Sequence, residues 1–487
     1  MYVSDMDIIK AKLEAEGRLN DGEILREIII DDENSIYKKK MFEGEKYYRC
    51  AHDILGHNFN QRPFAETKIN DEGFETEGIV NFKNPNRSNN RCVNPFHRVL
   101  VDQKASYVAG REPTITVRKG NNSDEFEKRL SIFTDDYFNQ IVYDMIVGAS
   151  NKGVEYLHIY YNKNGELKYC IVPAEEIIAV YDNDNENEIV EIIRYYYIRV
   201  FDKGYERIVK KAEWWTSDCV SYYIEDNSGI FIPESSDSIN VPHWYIYENN
   251  HKQYGSWGKV PFVEMKNNSR GTTDLELIKS LCDAYDLVLS EGTNNLIDLV
   301  ELYWVIEGYE GETASAIAKK LQINKAVHIS DTSGKVEAKQ VDIPVQGRID
   351  WLKLLKRDIF QFGMGVDTDT EKLGNAPSGV SLKFQYSMFN LKVNGVIPRL
   401  KRALKEFLWF VADDYFADDI FDMGLVDINI NLNSITDDKE TMEILSMSKG
   451  IVSEKTLLGK HPFIDDVNSE IFNIDEERKN GIYYEWW

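Results

Sequence analysis

The chain has 487 residues, 43% hydrophobic and 12% aromatic, the make-up of a folded protein of several domains and not of a disordered one. Its formal charge of −25, from 82 acidic against 57 basic residues, excludes the usual grip on DNA, in which clustered Lys and Arg displace condensed counterions. Five scattered cysteines (Cys50, Cys92, Cys170, Cys219, Cys282), with no C-x-x-C pair, exclude a zinc ribbon or a disulfide framework and predict reduced thiols in a cytoplasmic setting.

Residues 1–60 predict short helices around a polar turn in MFEGEKYY, and charges throughout MYVSDMDIIKAKLEAEG do not fit a signal peptide. Residues 60–95, rich in Asn and punctuated by NPN and VNP, predict loop. From Pro95 to Ala109 a helix is predicted with Phe96, Val99, Leu100, Ala105 and Val108 on its apolar side, stopping at Gly110 with Pro113 beyond. Residues 123–148 predict a second helix.

A β-rich block follows. In VEYLHIYYNKNGELKYCIVP (154–173), Asn164-Gly165 stands between two alternating runs, the pattern of a hairpin. The segments 189–201 and 211–226 continue it, so the N-terminal half predicts one α+β body closing near WGKVPFVEM. From Thr272 a helix is predicted to about Leu299, with Leu275, Ile278, Cys282, Tyr285 and Leu289 at spacings of 3 and 4, and the stripe continuing to Leu296, Leu299 and Tyr303 past Gly292. A mixed region (300–344) follows, then a helix at 346–362 and the polar loop GMGVDTDTEKLGNAPS (363–378). A long helix from Gly379 to about residue 416 holds Gly395 and Pro398, and a proline there removes a hydrogen bond and predicts a kink. A strand at 426–433 and two or three acidic helices complete the chain.

No catalytic, cofactor-binding or metal site is legible. GSWGKV (255–260) has two residues between its glycines and Val260 after the lysine, so it is not a phosphate-cradling loop. His52 and His57 lack helix-face spacing and a third ligand, and predict exposed or capping roles. Asp182 with Asp184, and Asp413 with Asp414, lack calcium-loop spacing and predict solvated faces. The most apolar stretch, LIDLVELYWVIEGY, carries Asp298, Glu301 and Glu307 and does not predict a membrane span.

Four blocks resemble the portal proteins of tailed bacteriophages, in the family found in long-tailed phages of Gram-positive hosts. They are NNRCVNPFHRVLVDQKASYVAGREPTIT (89–116), KVPFVEMKNNSRGTTDLELIKSLCDAYDLVLSEGTNN (259–295), NAPSGVSLKFQYSMFNLK (375–392) and LNSITDDKETMEILSMSKGIVSEKTLLGKHPFIDD (432–466). They occur in the family's order across nearly the whole chain. Glu112 is an additional residue before Pro113, and Ser381 stands where the family usually has Ala.

The resemblance implies an α+β portal-type fold. Its parts would be a wing (1–271 and 379–434), a stem of two helices (272–299 and 345–362), a clip inserted between them (300–344), a tunnel loop (363–378) and a helical crown (435–487). It implies a ring, usually of twelve copies, at one capsid vertex, with no enzymatic activity. Its partners would be double-stranded DNA in the channel, the terminase large subunit, the major capsid and scaffolding proteins, and a head-completion adaptor. The expected location is the virion, after assembly in the host cytoplasm. A different ring-forming virion component, such as a head–tail adaptor, is the alternative.

In such a ring the Leu275–Leu289 stripe is expected as a seam between neighbouring stem helices, although the same stripe suits an ordinary core helix. Eight acids from Asp274 to Glu307 stand against Lys279 alone, and some are expected to face the bore, where negative charge lets DNA slide. The tunnel loop would present Asp367, Asp369, Glu371, Lys372 and Asn375 to DNA, with Gly363, Gly365 and Gly374 permitting movement. Without the resemblance, the same loop reads as an exposed connector.

Overall fold

In a computed structural model, the described residues are 5–69, 75–83, 88–185, 188–202, 204–248, 251–298, 302–307, 335–340, 345–367, 386–415, 421–433, 438–459, 461, 463–464 and 467–479. The fold is α+β, as the sequence predicts. Three helices come first: α1 (Asp5–Ala15), α2 (Asp21–Asn34) and α3 (Ile36–Tyr48). The polar turn expected in MFEGEKYY is instead the interior of α3. Gly44 does not break this helix. It lets α3 cross α6 (Asp136–Lys152) so closely that a Cβ would run into the Asn151 carbonyl.

The loop expected over 60–95 contains an antiparallel hairpin, β1 (Gln61–Ile69) with β2 (Glu75–Lys83), with Phe64 opposite Val80. The NPN and VNP that signal loop lie beyond β2, after Lys83. Helix α4 (Phe96–Ala109) has the predicted bounds, with Gly110 as C-cap. Its buried face differs, however: His97 and Lys104 turn inward and Val99 outward. Strand β3 (Thr114–Val117) follows. The helix predicted at 123–148 is two, α5 (Ser123–Phe133) and α6, split where the Asp135 side chain accepts from the Phe138 N–H and caps α6.

Next, β4 (Val154–Tyr161) and β5 (Leu167–Val172) form the predicted hairpin, with Gly165 at φ +76°. Strands β6 (Ile177–Tyr181), β7 (Ile189–Asp202), β8 (Tyr205–Trp215), β9 (Cys219–Glu225) and β10 (Phe231–Pro233) make an antiparallel sheet in chain order, with β11 (Val241–Pro242) on β9. After the β12–β13 hairpin (Trp244–Glu248, His251–Gly255), β14 (Phe262–Lys266) returns to pair with β4. Trp257 and Val260 are buried, so GSWGKV is a loop leading into a strand.

The largest core joins α4–α6, β4, β5 and β14 to a long helix, Ser387–Tyr415. On that helix Val393, Leu400, Phe407 and Phe410 are buried, and Pro398 lies inside it. A second core lies between α1, α2 and the six-stranded sheet. Strand β17 (Val426–Asn429) pairs with β3, and three helices follow, Asp438–Met447, Glu454–Leu458 and Val467–Lys479. Among the described residues, no helix is long and apolar enough to cross a membrane.

Between β14 and the long helix stands a helical pair. A 3-10 turn (Leu275–Leu277) precedes the shaft helix, Lys279–Asp298. The chain continues through β15 (Leu302–Glu307) and β16 (Lys335–Gln340), which pair antiparallel, into the return helix, Val345–Phe362. Near the shaft's start, a Cβ on Gly363 would touch Ile278. Near its end, Gly292 faces Arg348. The two helices therefore run antiparallel, and the paired strands β15 and β16 stand between them in the chain. Tyr303 lies on β15, so the apolar stripe does not run on through it as one helix.

Candidate functional site

The predicted stripe is covered by its own chain. Leu275, Ile278 and Cys282 are buried with Tyr47 of α3, Leu100 of α4, and Ile359 and Phe360 of the return helix. Tyr285 is half-buried against the ring edge of Phe96, and Leu289 is half-buried. The seam expected between subunits is thus, at its first three residues, an intramolecular core. Spacing shows that a face is covered and does not show which chain covers it.

The shaft's inner face then changes chemistry. Asp286, Ser290 and Asn294, four residues apart, are each fully buried. They hold the extended segment Asn90–Asn94, which runs antiparallel to the helix. The Asp286 carboxylate accepts from Asn94 N–H (2.9 Å) and Nδ2 (2.8 Å). Ser290 Oγ accepts from Cys92 N–H (2.9 Å). Asn294 Oδ1 accepts from Asn90 N–H (2.7 Å), and its Nδ2 donates to the Asn90 carbonyl (3.0 Å). The spacing works because four helical residues rise ~6 Å and two extended residues span ~6.6 Å. The sequence signal for this ladder is the polar i, i+4, i+8 triplet beside the apolar stripe.

Asp286 has a second partner. His52 Nδ1 lies 2.6 Å from its Oδ2, both side chains are fully buried, and the imidazole stacks on Tyr47. His52 is therefore not exposed; it stands at the N-cap position of the 3-10 turn Asp53–Gly56, but its side chain makes no capping bond there. Its Nε2 is buried with no partner among the described residues. His57 is exposed.

At the shaft's root, Asp274 is buried between two cations, Lys104 Nζ at 2.7 Å and Lys392 Nζ at 2.9 Å, with Asn267 Nδ2 donating at 2.9 Å. Burial alone would raise this carboxyl, but the two ammonium groups outweigh it and hold it far below the carboxylate range. Burial pushes Lys104 down to about 8, against the pull of Asp274 and with help from Lys392. Burial likewise lowers His97 to about 4, so its neutral ring donates from Nε2 to Asn151 Oδ1 (2.9 Å).

These pairings correct the picture of acids free for a bore. Asp274 and Asp286 are internal, Glu276 pairs with Lys40, and Asp283 pairs with Lys279 and accepts from Tyr47. Glu291 is exposed, while the side chains of Asp298, Glu301 and Glu307 lie outside the described residues. Asp414 also leaves the solvated class, since Arg129 and Tyr161 both bind it. Asp182 and Asp184 do form a polar turn, with the Asp184 N–H donating to Asp182.

The loop after the return helix begins firmly seated. Gly363 and Gly365 lie where a Cβ would strike Leu100, so both serve close packing and not movement. Gln103 donates to the Val366 carbonyl (2.8 Å) and accepts from its N–H (3.2 Å). Asp367 is mostly covered and lies 3.7 Å from Lys356. Asp369, Glu371, Lys372, Gly374 and Asn375 lie outside the described residues. On the long helix, Arg399 donates to the Gly395 carbonyl one turn back, around Pro398. No group of three or more metal-ligating side chains occurs among the described residues.

Comparison with known proteins places the sequence in a family. A family model described as "Phage portal protein, SPP1 Gp6-like" matches residues 27–482. The portal protein of Bacillus phage SPP1 is 28% identical over 463 residues, 92% of this chain and 85% of its own. The portal protein of Clostridium phage phiCD119 is 30% identical over 483 residues, 94% of this chain and 96% of its own. With nearly its whole length matched, the chain belongs to the phage portal protein family.

Proposed function

We propose that copies of this chain close into a ring, twelve in number, at one capsid vertex, and that the ring is the channel through which double-stranded DNA enters and leaves. The observation that carries this is the antiparallel helix pair bracketing two paired strands, in a chain of the portal family. The shaft and return helices are the stem. The paired strands β15 and β16 belong to the clip, on which the terminase large subunit docks during packaging and the head-completion adaptor afterwards. The N-terminal body, with the long helix, is the wing, which faces the capsid and scaffolding proteins. Residues 435–487 form the crown. The protein acts as a structural component of the virion and not as an enzyme.

Because Leu275, Ile278 and Cys282 are already buried, the proposed seam between subunits uses exposed apolar residues of the two helices instead. They are Leu296, Ile297, Ile349 and Trp351. Twelve copies carry roughly −300 in all, and this net sign, not the buried or paired acids of the shaft, is what would keep DNA from sticking. The tunnel loop beyond Asp367, with Asp369, Glu371, Lys372 and Asn375, is the segment proposed to touch DNA.

Negative-stain imaging of the purified chain tests the proposal. Rings with a central hole are expected. A protein that stays monomeric at every concentration and salt would overturn it.

A further inference from the structure

The β7–β8 ribbon outruns its sheet. Strand β6 pairs only with Ile189–Arg194, and β9 only with Lys211–Trp215. Beyond them six register pairs, from Tyr197 opposite Lys210 to Asp202 opposite Tyr205, continue with no third strand among the described residues. At ~3.3 Å per residue the two strands reach ~20 Å past the sheet. An uncovered two-stranded ribbon is marginally stable in water.

This ribbon is also apolar where it is most exposed. Phe201 is 78% exposed, Tyr205 80% and Ile208 68%. Residues directly opposite in register share a face, which puts Ile208, opposite Arg199, beside Tyr197 and Phe201. Clustered exposed side chains of this size mark an interaction surface.

Its charge runs against that of the chain. From Tyr197 to Lys211 there are five basic residues (Arg199, Lys203, Arg207, Lys210, Lys211) and two acidic ones (Asp202, Glu206), in a chain of net −25. The base of the ribbon already shows the chemistry it accepts. Tyr195 Oη donates to Asp32 (2.7 Å), and Lys210 Nζ to Glu33 (2.8 Å), both on the acidic end of α2. Tyrosine and lysine meet carboxylates within one chain, and the exposed next segment of the same ribbon carries two further arginines, Arg207 and Arg199, the latter 3.5 Å from Glu206 within the ribbon.

We infer that the distal β7–β8 ribbon is an arm that docks on the acidic surface of the adjacent copy of this chain. The inference rests on the proposed ring, in which every copy offers one arm and receives one, a head-to-tail contact that closes on itself. The apolar tip supplies buried area, and the basic flank supplies register and salt sensitivity.

The test uses the full-length chain with a photo-reactive phenylalanine analogue replacing Tyr205, beside two variants, Phe201→Ser/Ile208→Ser and Arg199→Glu/Arg207→Glu. Crosslinks from position 205 to acidic peptides of a second copy are expected. Both variants should keep the wild-type circular dichroism and melting profile, yet need about tenfold more protein for half-assembly into rings. Crosslinks confined to the same chain, or found only to coat protein in procapsids, would overturn the inference. So would variants that assemble like wild type. A wild type that never forms rings sinks the proposed ring itself and the arm with it, whereas wild-type rings with indifferent variants sink the arm alone.

Discussion

Lys392 Nζ lies 2.9 Å from the Asp274 carboxylate, and the same ammonium donates to the Gly363 carbonyl at 3.0 Å. One side chain of the long helix thus fixes both the residue that opens the shaft and the residue that closes the return helix. With Lys104 on the other side of Asp274, two ammonium groups share one buried carboxylate.

That imbalance gives a pH dependence. The folded pKa of Lys104 is held down at about 8 by burial, below the roughly 10.4 of an unfolded lysine. Between those values the unfolded chain binds a proton that the folded chain has released. Stability therefore rises with pH across the window, and the gain is lost as pH falls through about 8. Relative to Lys104→Met, the wild type should gain about 1 kcal/mol per pH unit within the window. Urea unfolding of both proteins at about pH 7 and about pH 10 measures it; a constant difference refutes the assignment.

The polar ladder should be strongly stabilising because its members are buried. Asp286→Ala leaves His52 and the Asn94 N–H without their acceptor and should cost about 3–5 kcal/mol. Asn294→Ala strands only Asn90 and should cost about 1–3 kcal/mol. Denaturant midpoints rank the two, and equal losses would show that His52 adds nothing.

Gly44→Ala tests the helix crossing. The added methyl meets a backbone carbonyl, which cannot rotate away as a side chain does. A loss of about 2–4 kcal/mol is expected, with α3 and α6 pushed apart. Gly395→Ala is the control, since a Cβ there meets nothing within 4 Å. It should be neutral or slightly stabilising by helix propensity. Thermal melts of the pair decide the matter.

Ile278→Asp should now fail as a folding mutant and not as an assembly mutant. A carboxylate placed among Leu100, Cys282 and Ile359 has no partner there. Soluble yield should collapse before any ring is scored. Leu296→Asp/Ile297→Asp, on exposed positions, should leave the monomer intact and block assembly. Size-exclusion chromatography distinguishes the outcomes; well-folded Ile278→Asp monomers would return the seam to the apolar stripe.

Where sequence signals are local, the sequence was legible. The Asn164-Gly165 hairpin, the Gly110 stop of α4, the helix at 345–362 and the inserted region between two helices all rest on short-range rules, and the structure has them. The partners of polar side chains were not legible. His52 and Asp286 read as ordinary surface residues until the fold places them 2.6 Å apart. Gly44, Gly363 and Gly365 read as punctuation or hinges because sequence shows the missing side chain and not the neighbour that fills its place. The stripe from Leu275 was recognised as buried, but periodicity carries no information on whether a fold or an assembly buries it.

The shaft and the Asn90–Asn94 segment mesh like a toothed rack, with teeth at Asp286, Ser290 and Asn294. Such a joint does not creep. A shift by a fraction of a tooth loses all three teeth at once, and the next engagement comes only after a full tooth of ~6 Å. Even there the chemistry is wrong, because Ser290 would sit at the place of Asp286, with no carboxylate for His52. Axial load on the shaft is therefore handed to the body at three points together. Any give along the axis belongs to the part of the helical pair beyond Asn294, where the last tooth ends.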